Sequence, residues 1–379
     1  MHYFLIAGEA SGDLHAAQLI QALRHIDHDA RFTFLGGDLM AAAAGTPPLI
    51  HYRDMAFMGF SEVLRHLPQV LGNLRTARRG LRHAAPDAFI PVDYPSFNLK
   101  VAKTAAAAGI PVYYYISPKL WAWKAWRVKA IRRTVRRMLA IFPFEPAWYA
   151  ARGFHADYVG NPSVAEIDAA LAAAPPREDF LREHRLRDRP IIALLPGSRR
   201  GEVRANLPVM EQAAHRFAQY RPVVAAAPGL DDAFYASLTS LPIVRGATYP
   251  LLRHARAALV TSGTATLEAA LAATPQVVCY RSNGSKLSYD IMRRILNVDH
   301  VALPNIIAGH TIIPEMLLHE CTPELVAHRL APLLREGSPE RTAQLDGYAA
   351  MRATLGTTDA AATAARIITD DLAASAPGA

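Results

Sequence analysis

Two short apolar strands, each breaking into a Gly/Ser loop that opens a helix, constrain this chain more than any other feature: residues 194–203 (LLPGSRRGEV) and 259–268 (LVTSGTATLE). Such a junction aims several backbone N–H groups and the positive end of a helix dipole at one spot, which suits a phosphate. Gly197, Ser198 and Arg199 stand in the first loop, with Arg200 next to them; Ser262, Gly263 and Thr264 stand in the second. Two such loops in one half of a protein suggest a diphosphate held between them. Glu268, inside the second helix, is placed like an acid that accepts ribose hydroxyls. Taken together, these residues favour a nucleotide-sugar site over ordinary α/β turns.

The rest of the chain keeps the same rhythm. Strands are expected at residues 3–7, 31–35, 88–92, 112–116, 138–142 and 158–159, and again at 191–195, 223–227, 258–261 and 276–280. Helices are expected between them and at 323–334 and 339–355, the first one capped by Ser11 or Asp13. Alternating strands and helices imply doubly wound parallel sheets. A chain of 379 residues exceeds one ordinary core. The reading is therefore α/β, with Rossmann-like domains at 1–165 and 185–340, then a helical segment and tail at 341–379. The Ala/Pro-rich, then charged stretch 169–189 reads as a linker with a surface helix. Two such domains place a ligand cleft between the carboxyl ends of their sheets.

Composition excludes several classes. A content of 51% hydrophobic and 20% charged residues describes a folded globular chain. The apolar run at the N-terminus is too short for a signal-peptide core, and no run reaches the roughly 18 residues of a membrane span. Cys279 and Cys321 are the only cysteines, without metal-ligand spacing, which fits a reduced cytosolic setting. The fifteen histidines are scattered, and no carboxylate pair stands beside the phosphate loops, so neither a metal nor a cofactor is expected.

Asp93, in residues 90–98 (IPVDYPSFN), follows a buried-looking strand. A carboxylate at the carboxyl end of a parallel strand stands where a general base is needed, and it is equally a turn former before Tyr-Pro. The loop 8–13 (GEASGD) follows the first strand of the same sheet and is expected beside it. Gly8 and Gly12 allow close backbone approach, while Glu9 or Ser11 offers contacts to sugar hydroxyls. Asn305, in residues 303–306 (LPNI), is a substrate ligand or a turn former. Arg281 is a second cation for the diphosphate or an ordinary surface residue.

The charge is uneven. Residues 1–162 hold 19 Lys/Arg against 11 Asp/Glu, and the remainder holds 22 of each. Seven of the basic residues, and no acid, fall in 121–137 (WAWKAWRVKAIRRTVRR). Helical spacing across 121–138 gathers Val128, Ile131, Val135 and Met138 on one stripe, with Lys129, Arg132, Arg133, Arg136 and Arg137 opposite. With Trp121, Trp123 and Trp126 at its start, this basic helix fits an anionic membrane surface; a solvated helix face is the alternative. The neighbouring apolar stretch 56–67, followed by Arg75, Arg78, Arg79 and Arg82, matches lipid better than nucleic acid.

The motifs in order are GEASGD (8–13), MGFSEVL (58–64), VDYPSFN (92–98), SPKLWAW (117–123), FPFE (142–145), LPGSR (195–199), SGTATLE (262–268) and LPN (303–305). Together they resemble the lipid-A-disaccharide synthase family over residues 3–334. The resemblance implies an inverting glycosyltransferase of the GT-B fold. Its partners would be a UDP-activated lipid sugar donor, UDP-2,3-diacylglucosamine, and a phosphorylated lipid monosaccharide acceptor, 2,3-diacylglucosamine 1-phosphate. The products would be a β-1,6 disaccharide and UDP. It implies a cytoplasmic protein, peripheral on the inner face of the cytoplasmic membrane, and is compatible with a homodimer. Asp93 matches the first acid of the family's Asp-x-Pro-Asp-Phe-Asn motif and Asn98 its last residue, whereas Ser96 departs from the second acid. Arg199 matches the essential arginine, residues 263–268 match the Gly-Thr-x-x-Leu-Glu helix, and Asn305 matches Leu-Pro-Asn. A base of ordinary pKa suffices in such a reaction when proton transfer is late. A UDP-sugar epimerase of the same fold would use the same loops without needing a lipid surface.

Overall fold

A computed structural model describes residues 1–55, 66–122, 125–281 and 300–375. The chain forms two compact units, Met1–Pro162 with Thr357–Ala379, and Ser163–Gly356.

The first unit holds a six-stranded parallel sheet: β1 His2–Ala7, β2 Arg31–Leu35, β3 Ala88–Val92, β4 Tyr113–Tyr115, β5 Arg137–Ala140 and β6 Ala156–Tyr158, in the order β2-β1-β3-β4-β5-β6. The central strands β1, β3 and β4 are near-continuous apolar runs because helices cover both faces, whereas the edge strands β2 and β6 carry polar residues. Pro91 interrupts β3 at low cost. The β3–β4 bonds run from Phe89 N–H to Pro111 and from Asp93 N–H to Tyr115, so proline removes only the rung between them.

The second unit repeats the plan with β7 Ile191–Leu195, β8 Arg221–Ala226, β9 Ile243–Arg245, β10 Ala255–Val260, β11 Gln276–Tyr280 and β12 Glu315–Leu317, ordered β12-β11-β10-β7-β8-β9. Each sheet reverses direction once, between β1 and β3 and between β7 and β10. In an open α/β sheet that reversal is where a crevice opens at the carboxyl ends. The four loops singled out in the sequence leave these four strands.

Several expectations need correction. The tail is not a separate segment. Helix Pro339–Leu355 belongs to the second unit, and helix Ala360–Ala373 returns to the first, where Ala360, Ala364, Ala365 and Ile368 join the core beside Leu19 and Ile20. Small alanine side chains let it lie close to helix Ala10–Ile26. The stretch 169–189 is not a linker, since Phe180 and Leu181 of helix Arg177–Glu183 are buried in the second unit. Neither Ser11 nor Asp13 caps the first helix. Glu9 is the cap residue, Ser11 donates to Glu9, and Asp13 accepts the N–H groups of Gly37, Leu39 and Met40, stabilising the start of helix Asp38–Ala44.

The basic helix is also shorter than expected. It spans Val128–Thr134, and Val135 is already extended. Its apolar stripe is real but buried: Val128, Ile131, Val135 and Met138 pack in the core under the sheet. Arg136 and Arg137 are held by carboxylates, Arg136 by Asp371 at 2.5 Å and Arg137 by Asp157 at 2.9 Å through two bonds. Trp121 is buried as well, and its Nε1 donates to Glu145. The apolar segment 56–65 with its motif, Trp123, and Arg293-Arg294 lie outside the described residues.

Candidate active site

In the first unit the register pairs Ala7 with Val92, so Gly8 and Asp93 leave adjacent strands side by side. Asp93 extends the ladder by one bond to Tyr115, and then both Asp93 (φ +43°) and Tyr94 (φ +47°) turn left-handed before Pro95 starts helix Pro95–Ala107. For non-glycine residues this costs about 1–2 kcal/mol each, so other contacts must hold the turn. Asn98 Nδ2 donates to the carbonyls of Asp93 (2.7 Å), Val92 and Ile6, Tyr114 donates its hydroxyl to the Asp93 carbonyl (2.7 Å), and Tyr94 reaches Met55 O. The half-buried Asp93 carboxyl is pushed up to about 6, first by burial and then by the charge of Glu9, with Lys119 and the Tyr94 N–H opposing. Its pKa is therefore not ordinary: the carboxyl changes charge near neutrality.

Asn98 is fully buried, so its placement is that of a clamp on the Asp93 turn, not of a substrate contact. Gly12 is likewise buried, against Ala7. Glu9, whose charge acts on Asp93, and Ser11, which donates to Glu9, remain accessible.

In the second unit Val260 pairs with Leu195, and the two Gly/Ser loops emerge together. They border a pocket of about 540 Å³ lined by Gly197, Ser198, Arg199 and Glu202 from one side, residues 261–265 and Glu268 from the other, and residues 225–228 with Thr248. Helices Arg200–Ala214 and Thr264–Leu271 start at its wall. Gly263, at φ +132°, is the cap residue of the latter, a conformation that glycine alone adopts readily. Ser262 donates to Val301 O. Glu268 is pushed up to about 7 by burial and by the neighbouring Glu166, whose carboxylate accepts from Tyr249.

Two expected ligands stand apart from this pocket. Asn305 is fully buried, and its amide is consumed by the backbone of Ile312 and Ile313 and by Glu315. Arg281 is exposed and is not part of the pocket's described lining; its N–H is held by Asn206. Sequence reasoning missed Glu202, Lys119, Tyr94 and Tyr114. Of these, Glu202, Tyr94 and Lys119 lie inside the motif-bearing stretches 194–203, 92–98 and 117–123, whereas Tyr114 looks like any residue of an apolar strand. Among the described residues no cluster of His, Cys, Asp or Glu is suited to a metal.

The profile of the lipid-A-disaccharide synthetase family matches residues 3–367. A lipid-A-disaccharide synthase of Myxococcus xanthus is 42% identical over 373 residues, covering 96% of each chain. One of Acidobacterium capsulatum is 40% identical, covering 95% of this chain and 93% of the other. Among solved structures, UDP-GlcNAc 2-epimerase from Neisseria meningitidis bound to UDP-GlcNAc superposes with a TM-score of 0.67 at 12% identity, covering 99% of this chain and all (100%) of that one. The glycotransferase of kitacinnamycin gives 0.59 at 16% identity, covering 97% and 98%. At such identities these two likenesses speak for the fold alone, while the sequence relatives decide the family. With its two Rossmann-like lobes of GT-B type, the chain belongs to the lipid-A-disaccharide synthase family.

Proposed function

We propose that this chain transfers the sugar of UDP-2,3-diacylglucosamine to the 6-hydroxyl of 2,3-diacylglucosamine 1-phosphate, forming the β-1,6 disaccharide of lipid A biosynthesis. Asp93 takes the proton of the attacking hydroxyl as its oxygen bonds to C1 of the donor. The C1–O bond to the diphosphate breaks on the opposite face, and the electron pair leaves with UDP. Positioned general-base catalysis is worth roughly 10²–10⁴ in rate. Arg199 and the N–H groups of the two Gly/Ser loops stabilise the charge growing on the leaving diphosphate. Gly197, Ser198, Ser262, Gly263 and Thr264 cradle it, and Glu268 accepts the ribose hydroxyls. Glu9 and Ser11 contact the acceptor sugar.

The observation that carries this reading is Asp93: a carboxyl at the sheet's reversal, on a strained turn held from four sides, with a pKa near 6. The protein acts as a peripheral enzyme on the inner face of the cytoplasmic membrane. In support, among the described residues no helix is long and apolar enough to cross a bilayer. Lys103, Lys129 and Arg133 rim a groove floored by Ala106 and Ala130, with the exposed Trp126 at its edge. Leu67 and Leu71 lie exposed on the helix that carries Arg75, Arg79 and Arg82.

Purified protein given both lipids, with the products read by mass, tests the reaction. A disaccharide lipid is expected; an epimerised sugar nucleotide with no disaccharide would overturn it.

A further inference from the structure

Glu202 is the third residue of helix Arg200–Ala214 and folds back over the loop before it. Its Oε2 accepts the Ser198 N–H at 3.2 Å, and its Oε1 accepts from Nη1 of Arg199 at 3.1 Å. Gly197, at φ +121°, makes room for this: a Cβ there would come within 2.8 Å of Glu202 Cβ and Oε2. The carboxylate lines the nucleotide pocket, and its side chain is 28% exposed. An acid in the first turn that reaches back to a backbone N–H is a common way to stabilise a helix start. Here the groups it takes are a loop N–H and a guanidinium facing the pocket, the donors that suit a diphosphate. Two anions on the same two donors repel each other.

We propose that Glu202 is an intramolecular competitor for the diphosphate. It holds Arg199 and the Ser198 N–H in position, is displaced as the nucleotide sugar binds, and returns to them as UDP departs. Glu202 thereby weakens product binding at a cradle otherwise built to retain it. The inference rests on the nucleotide-sugar reading of the pocket.

The test is calorimetric binding of UDP to the full-length protein, its Glu202→Gln and Arg199→Ala variants, and the double variant, with melting temperatures measured in parallel. Glutamine keeps the length and loses the charge. Glu202→Gln is expected to tighten UDP about three- to tenfold, in keeping with removal of one exposed ion pair and one like-charge repulsion. The gain should largely vanish in the Arg199→Ala background, because the competition runs through that cation. Glu202→Asp, which keeps the charge, should bind UDP more weakly than Glu202→Gln. Weaker or unchanged UDP binding in Glu202→Gln would make Glu202 an aligner of Arg199 and overturn the proposal. So would a gain that persists without Arg199. If wild-type protein does not bind UDP at all, the nucleotide reading itself fails and takes this inference with it.

Discussion

The ring of Tyr94 covers Gly8 so closely that a Cβ on Gly8 would stand 2.4 Å from it. This contact joins the two loops of the first unit and helps hold Asp93 and Tyr94 in their left-handed turn. Gly8→Ala must therefore push the ring away. Overpacking of this kind costs about 1–3 kcal/mol. The displaced Tyr94 should drag the Asp93 carboxyl with it, cutting turnover about tenfold or more, since small misplacements at a reacting centre are expensive. UDP affinity should not change, because the nucleotide pocket is built from the other unit. Equal losses of turnover and UDP affinity would mean that the substitution unfolds the protein.

The pH dependence follows from Asp93. A general base acts only when ionised, so kcat/KM should climb with pH and level off above about 6. Burial is the larger cause of the raised value and Glu9 the second. Glu9→Gln removes a neighbouring negative charge, so it should move the acid limb to lower pH. Asp93→Ala should abolish the reaction. An acid limb at the ordinary carboxylate value of about 4, insensitive to Glu9→Gln, would place the base elsewhere.

Much of this was legible in the sequence. The bounds of β2, β3 and β7 coincide with the expected ones because each is a largely apolar run ended by Gly36, Asp93 or Pro196, and those of β11 coincide because its apolar run stops at Arg281. Such a run can be read without knowing its neighbours. The basic segment misled because Val135 and Met138 continue a helical stripe by chance of spacing, although the chain there is already entering β5. What stops the helix is tertiary: Arg136 and Arg137 meet Asp371 and Asp157, the first of them more than two hundred residues away. Asn98 and Asn305 carry a similar lesson. A motif amide looks like a ligand contact, yet both are buried clamps that shape the backbone carrying the site. Only knowledge of which carbonyls converge on them, from β1, β3 and residue 313, separates the two roles.

Arg199→Ala should weaken UDP binding and slow turnover together, since a cation on the diphosphate acts in both ground and transition states. Turnover is expected to survive EDTA, because Arg199 and the helix starts supply the positive charge. Full loss with EDTA, restored by magnesium, would assign that charge to a metal.

Glu268 gives the nucleotide pocket its own pH response. Its carboxyl is raised to about 7 by burial, then by Glu166. Ribose hydroxyls donate to the ionised form, so affinity for a UDP-sugar should rise between about pH 6 and 8, by up to about tenfold. A UDP-sugar is the right probe because, unlike UDP, it lacks a terminal phosphate that titrates in this range. Glu166→Gln lowers the Glu268 value and should shift the rise to lower pH, while Glu268→Gln should flatten it. Affinity that is flat in wild type as well would remove Glu268 from the ribose contact.

The basic surface divides into two groups with opposite expectations. Lys103, Lys129, Arg132 and Arg133 are exposed, and among the described residues none of them is in a salt bridge. Arg136 and Arg137 are tied to Asp371 and Asp157. A cation near an anionic bilayer contributes about 1 kcal/mol at most, and the effect fades within a Debye length. Changing the first four to glutamine should therefore weaken binding to anionic vesicles at low salt and leave the melting temperature and UDP affinity unchanged. Changing Arg136 and Arg137 should do the reverse. It leaves Asp371 of the last helix with only the Tyr113 hydroxyl and Asp157 of β6 with only His155, so melting falls while vesicle binding of the folded protein changes little. Exposed Trp126 should add a part that salt does not remove, lost in Trp126→Ala. If the fourfold variant binds vesicles as well as wild type at every salt concentration, the groove is a solvated face and the lipid surface lies elsewhere on the chain.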